Sequence, residues 1–240
     1  MVRLHTKELV VMAGAPGGGK STLSVNLAMS LDVPTLYFAQ DSPASVLSRM
    51  AALAIGQETT QAHDLIASAE ERSLLSRRLE STRPTLVFNR GAVTTERVRA
   101  SALALREWLG VAPPLVILDN LIDMVAVGSN PAESSFYATI LPELKQMANE
   151  LNMCIIVLHH VTRGGGSGHG KGTQPMTMND LLFAGEREAR HVWGIYNDNV
   201  DTLKVQILKQ QDGPADAAGD MRVDLRWYPK LGKLATIGSG

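Results

Sequence analysis

The segment Gly14-Ala15-Pro16-Gly17-Gly18-Gly19-Lys20-Ser21 constrains this chain more than any other. It follows an apolar run at residues 9–13 and precedes Thr22 and Leu23, where a helical pattern opens. A strand, a glycine turn and a helix start in that order gather backbone N–H groups and the positive end of a helix dipole at one point, which makes a cradle for phosphate. The spacing satisfies GxxxxGK[ST] in full. Glycines let the backbone approach phosphate oxygens, Lys20 reaches towards the β- and γ-phosphates, and Ser21 is the expected Mg²⁺ ligand. The competing reading is a chance glycine-rich turn, which the flanking strand and helix disfavour.

The rest of the chain supplies the sheet such a turn requires. Short β-type runs at residues 35–39, 85–88, 115–118, 154–158, 192–196, 203–209 and 222–227 alternate with helical patterns, the sign of crossover units on a mostly parallel sheet. Val98, Leu105, Trp108 and Leu109 recur at helical spacing, as do Phe136, Ile140, Leu144, Met147, Ala148 and Leu151, with Pro142 marking a first turn or a kink. The last two strands follow one another without a crossover, and Gln211-Asp212-Gly213-Pro214 between them carries turn chemistry, so an antiparallel hairpin is predicted at the C-terminal end. Residues 163–175 hold Gly164, Gly165, Gly166, Gly168, Gly170 and Gly172, a composition that predicts a mobile surface loop.

The 240 residues fit one large domain, with its core at about 8–228. No apolar run is long enough for a signal peptide or a bilayer span, so the reading is cytoplasmic. Cys154 stands alone in an apolar run and reads as a buried small hydrophobe. A formal charge of −1 argues against a dedicated basic DNA-binding surface, so any DNA contact must be local. The arginines between Arg72 and Arg106 have acidic neighbours and read better as a solvated face.

In a parallel sheet the C-terminal strand ends converge on a ligand crevice. Asp119 closes the run Leu115-Val116-Ile117-Leu118 and is the expected second Mg²⁺ group; the alternative is a helix cap. Asp123 could be outer shell or a helix-surface acid. Hydrolysis needs a group that orients or deprotonates water, and Gln40, Asp41, His159 and His160 all stand at predicted strand ends. Two adjacent histidines opposite a phosphate loop point towards phosphate sensing.

With these pieces in order the chain resembles the RecA-like P-loop NTPases, most closely the motor domains of DnaB-type and RepA-type hexameric helicases. The resemblance covers roughly residues 8–228. It rests on the P-loop, on residues 36–43 leading to Arg49-Met50, and on Val116-Ile117-Leu118-Asp119-Asn120-Leu121. Leu144-Lys145-Gln146-Met147-Ala148, the double histidine before the Gly-rich loop and Pro175-Met176-Thr177-Met178-Asn179-Asp180-Leu181 extend it.

The resemblance implies an α/β fold: a mostly parallel central sheet flanked by helices, closed by the antiparallel hairpin. It implies ATP and Mg²⁺ as cofactors, with Gly14 to Thr22 and Arg49 on the nucleotide. It implies a homo-hexameric ring with nucleotide at subunit interfaces, and single-stranded or branched DNA as partner, with Arg163 and Lys171 in the contacting loop. His160 falls where a γ-phosphate-sensing glutamine is expected, and Lys209 where a lysine reaches the neighbouring subunit's site. The chain departs from the pattern twice. The family's glutamate base is replaced by Asp41 or Gln40, depending on the count, and Gln211 stands in place of the arginine finger. Slow hydrolysis is therefore expected unless Arg187 or Arg190 substitutes. The functions in competition are a DNA motor or remodelling ATPase, a metal-dependent DNA nuclease using some of Asp41, Asp119, Asp123, His159 and His160, and a nucleotide-switched scaffold.

Overall fold

A computed structural model describes residues 4–31, 33–39, 43–67, 85–88, 93–124, 134–161, 172–181 and 185–237. In chain order the elements are β1 (Glu8–Gly14), α1 (Lys20–Ser30), β2 (Thr35–Ala39), α2 (Pro43–Ile55), α3 (Thr59–Ala67) and β3 (Thr85–Phe88). Next come α4 (Thr95–Leu109), β4 (Leu115–Asp119), α5 (Ser134–Leu151), β5 (Cys154–His160) and α6 (Gly185–Glu188). The chain ends in β6 (His191–Asn197), β7 (Thr202–Gln210), β8 (Arg222–Tyr228) and β9 (Lys233–Thr236).

These strands form one sheet in the order β3-β2-β4-β5-β1-β6-β7-β8-β9. β1 to β6 run parallel, whereas β7, β8 and β9 return antiparallel. Because side chains alternate along a strand, β1 feeds two cores. Leu9, Val11 and Ala13 pack with the buried faces of α4 and α5; Val10 and Met12 pack with Leu23, Val25 and Ala28 of α1 and Val46 and Met50 of α2. Both faces are covered, so β1, β4 and β5 read as continuous apolar runs and not as alternating ones.

Local chemistry fixes the element ends. Thr94 caps α4 by accepting from the Arg97 N–H at 3.2 Å, Glu96 sits in its first turn, and Gly110 closes it with φ 73°. On that helix Val98, Ala102 and Leu105 are buried. Arg99 pairs with Glu150 on α5, in keeping with a solvated face for this part of the arginine-rich stretch.

The predicted strands all appear, most of them a residue or two longer. Two features extend the sequence expectation, and a third decides between its alternatives. The C-terminal hairpin is one part of a larger antiparallel edge, with β7 pairing back on β6 and β9 adding to β8. β9 escaped notice because its four residues are half-buried or exposed and carry no apolar run. Pro142 lies inside α5, not in its first turn, and removes one intrahelical hydrogen bond there. Cys154 is buried, and burial together with the Glu8 charge pushes its thiol up to about 12, which leaves it inert. Among the described residues no helix is long and apolar enough to cross a membrane.

Candidate functional site

Register brings the sequence candidates to one edge. Gly14 at the end of β1 lies opposite His160 at the end of β5, and Ala39 at the end of β2 lies opposite Asp119 at the end of β4. The P-loop leaves this edge and turns into α1. Gly17 and Gly19 hold φ of 75° and 102°, and a Cβ on Gly19 would stand 2.2 Å from Leu203 Cδ1 of β7. Only glycine fits there. The result is a cleft of about 340 Å³ lined by residues 16–22 together with Arg49, Asp119, His160 and Trp227. A second cleft of about 400 Å³ between α2 and α3 shares Arg49.

Lys20 is 5% exposed and uses its three donors locally, to the carbonyls of Gly14 (2.7 Å) and Ala15 (3.0 Å) and to His160 Nδ1 (3.2 Å). An ammonium has no lone pair, so Nδ1 accepts and the ring proton sits on Nε2. Burial lowers the Lys20 amine to about 8, although the Asp119 charge opposes the shift.

Asp119 Oδ2 accepts from the Tyr37 hydroxyl at 3.0 Å, and Tyr37 lies 2.7 Å from Ser24 Oγ. Burial, and then the Asp119 charge, raise the Tyr37 phenol well above its ordinary range, so it stays protonated and donates. Ser24 must then divide its one proton between Tyr37 and the Ser21 carbonyl at 3.0 Å. This chain of contacts ties the Asp119 carboxylate to the start of α1. A carboxylate and the Ser21 hydroxyl beside a phosphate cradle suit Mg²⁺, which favours few protein oxygens plus phosphate and water.

The two histidines separate. His160 faces Lys20, whereas His159 is buried edge-on against Tyr137, with ring centroids 5.3 Å apart. Burial, followed by the neighbouring His160 and Lys20 charges, lowers His159 to about 4. It is a neutral core residue, so of the two adjacent histidines His160 lines the P-loop cleft and His159 does not.

Sequence reading missed Trp227. It sits on β8, far along the chain, and its indole N–H is buried without a partner among the described residues. No local motif marks it. Gln40, Asp41, Arg163 and Lys171 lie outside the described residues, as does the Asp123 side chain.

Lys209 and Gln211 stand at the other end of the sheet, because β7 runs against β6 and Gln210 pairs with His191. Lys209 donates to the Ala189 carbonyl at 2.7 Å. Arg190 lies beside Gln211: its Nη1 donates to Gln211 Oε1 at 3.2 Å, its Nε lies 2.8 Å from buried Glu8, and its Nη2 pairs with Asp212. Arg187 is exposed on α6. None of these cations is at the P-loop edge of its own chain.

Among relatives, the Gene 65 protein of Mycobacterium phage L5 is 24% identical over 90% of this chain and 81% of its own length. The replicative DNA helicase DnaB of Pasteurella multocida is 26% identical over 88% of this chain and 48% of its own length. Of solved structures, a DnaB-like replicative helicase superposes with a TM-score of 0.78 at 17% identity, over 98% of this chain and 58% of that one. The RadB recombinase gives 0.58 at 14% identity, over 98% and 92%, so the fold is RecA-like. The family model described as DnaB-like helicase C terminal domain matches residues 2–234, and the chain, an ATPase of the helicase type, belongs to that family.

Proposed function

We propose that the chain, read as one domain over residues 1–240, is an Mg²⁺-dependent ATP-hydrolysing DNA motor or DNA-remodelling ATPase in replication, recombination or repair. The observation that carries this reading is the convergence of Lys20, Ser21, Asp119 and His160 on one strand edge. In this reading Lys20 gives up carbonyl contacts for the β- and γ-phosphates, and His160, its direct partner, registers the change. Ser21 and Asp119 hold Mg²⁺, which supplies neutralisation of phosphate charge. Arg49 and Trp227 line the same cleft and are suited to stacking on a base. Asp41 is the proposed base.

Residues 163–175 with Arg163 and Lys171 are the proposed contact to single-stranded or branched DNA, tracked by charge and backbone amides. A homo-hexameric ring brings six such loops to one axis, which accommodates a near-neutral chain. Lys209 lies at the edge opposite its own P-loop and is read as acting on the nucleotide of a neighbouring copy. Gln211 cannot act as an arginine finger, but Arg190 touches it and is the proposed substitute.

The test is steady-state ATP hydrolysis with and without single-stranded DNA, beside oligomer mass. Hydrolysis abolished by Lys20→Ala and raised by DNA is the expected result; a rate that DNA leaves unchanged in a verified oligomer refutes the motor reading.

A further inference from the structure

The segment that leaves β5 and returns to β6 is attached to the P-loop at both ends. On the leaving side, His160 contacts Lys20 and the Val161 N–H donates to the Gly14 carbonyl at 3.3 Å. On the returning side, Gly172 lies flat against the P-loop backbone. A Cβ on Gly172 would stand 2.4 Å from Gly18 N, 2.6 Å from Gly18 Cα and 2.7 Å from Gly17 C. Those are backbone atoms, which cannot rotate aside, so only glycine permits this contact.

Asn197, at the end of β6 and 3% exposed, spans the same junction. Its backbone N–H donates to the Gly172 carbonyl at 2.9 Å and its Nδ2 donates to the Gly17 carbonyl at 2.9 Å. Its Oδ1 accepts from the Asn199 N–H at 2.9 Å, which fixes the orientation of the amide. Behind it, Asp198 Oδ1 accepts from the N–H groups of Val200 (2.9 Å), Asp201 (3.1 Å) and Thr202 (3.0 Å), which stiffens the β6–β7 turn. One residue on a rigid turn thus holds the P-loop and the returning segment together. A displacement of Gly17 and Gly18 on phosphate binding must either break the Asn197 contact or carry Gly172 with it.

We propose that Asn197 and Gly172 form a second coupling route between nucleotide and DNA, on the returning side of residues 163–175, independent of His160 on the leaving side. Asn197 is a positioning residue: it acts through Gly17 and Gly172. The proposal rests on the reading of residues 163–175 as the DNA contact.

Coupling is measured as the ratio of affinities of the full-length protein for a labelled oligo-dT strand with and without a slowly hydrolysed ATP analogue and Mg²⁺. A coupling factor of about 5 to 150 is typical of allosteric proteins and must appear reciprocally in nucleotide affinity. Asn197→Ser retains an oxygen for the Asn199 N–H but cannot reach Gly17. The expected result is a factor reduced by about threefold or more from the wild-type value but still above unity, because the His160 route on the leaving side remains. A variant that keeps the wild-type factor overturns the proposal while leaving the DNA reading intact. Wild-type protein that binds no DNA overturns both. If the variant does not fold, hydrogen exchange in the wild type decides: the Asn197 amide, which donates to Gly172, must change its protection when nucleotide binds without DNA. Unchanged protection refutes the link.

Discussion

Gln206 on β7 is fully buried, and replacing it by leucine is expected to cost more than any surface change in the chain. Its Oε1 accepts from the Met176 N–H at 2.9 Å, and its Nε2 donates to the carbonyls of Met176 (2.9 Å) and Gly219 (2.6 Å). One side chain therefore satisfies three backbone groups, on two segments with no ladder of their own at this point. Water cannot take its place, because the amide is closely walled. A Cβ on Gly194 would stand 2.8 Å from Oε1, and one on Gly219 would stand 2.2 Å from Nε2. An unsatisfied buried backbone group costs about 1–3 kcal/mol, so three cost roughly 3–9 kcal/mol before any relief. Burying a leucine returns about 1.5–3 kcal/mol. The net expectation for Gln206→Leu is a loss centred on about 4 kcal/mol, within a range of roughly 0–7.5 kcal/mol, against the 5–15 kcal/mol of an ordinary domain. Equilibrium urea unfolding followed by circular dichroism measures it. A loss below about 1 kcal/mol would mean that the segment around Met176 finds other partners, and the reasoning would fall.

Other expectations follow from the site. Because bound phosphate favours the charged Lys20 amine, nucleotide affinity should be full below pH 8, the value near which the free amine titrates, and weaken by up to tenfold per unit above it. Calorimetry in buffers of different ionisation enthalpy should detect proton uptake there, and a flat profile to pH 9.5 or so would contradict it. The same depressed amine makes the nucleotide-free fold gain stability as pH rises from about 8 towards 10.5, since the unfolded chain then holds the extra proton. Trp227→Ala should weaken ATP by about 5- to 150-fold if the indole stacks on the base, yet leave tripolyphosphate affinity unchanged. Equal losses for both ligands would remove the stacking role. Arg190→Ala should lower turnover on the order of 10³-fold. Mixing it with Lys20→Ala subunits should restore activity, since each contributes the half-site that the other lacks. No restoration in verified mixed oligomers would place Arg190 in a purely structural role beside Glu8.

Much of the nucleotide edge was legible because it is written locally. The P-loop, the apolar run that ends at Asp119 and the run that ends at His160 each announce a strand and its terminus within about ten residues. Parallel pairing then puts those termini together without further information. What could not be read depends on register and distance. Trp227 reaches the cleft only because β8 pairs with β7, and β9 is held against α1 by Asn26, which donates to the Gly232 carbonyl at 2.7 Å and accepts from the Leu234 N–H at 2.9 Å. The division of labour between His159 and His160 was equally hidden. Adjacent strand residues point to opposite sides, and nothing in a dipeptide says which side is core. Gly172 looked like one glycine among many; its contact with Gly18 is a property of the folded chain alone.

Sheet polarity limits how this site can work. The P-loop, Asp119 and His160 are on the edge where β1, β4 and β5 end, but the cations Lys209 and Arg190 are on the opposite edge, about the length of β6 and β7 away. A seven-residue strand such as β6 spans roughly 23 Å at 3.3 Å per residue, several times the reach of an arginine side chain. No rotamer change returns Arg190 to its own P-loop. If these cations take part in hydrolysis, they do so for another copy, and an isolated monomer should bind nucleotide with nearly full affinity while hydrolysing it poorly. Dilution therefore separates the two possibilities: turnover per subunit should fall with the oligomer fraction while nucleotide binding per subunit holds steady. Turnover that stays constant through full dissociation would confine catalysis to a single chain and leave the opposite edge with a structural role only.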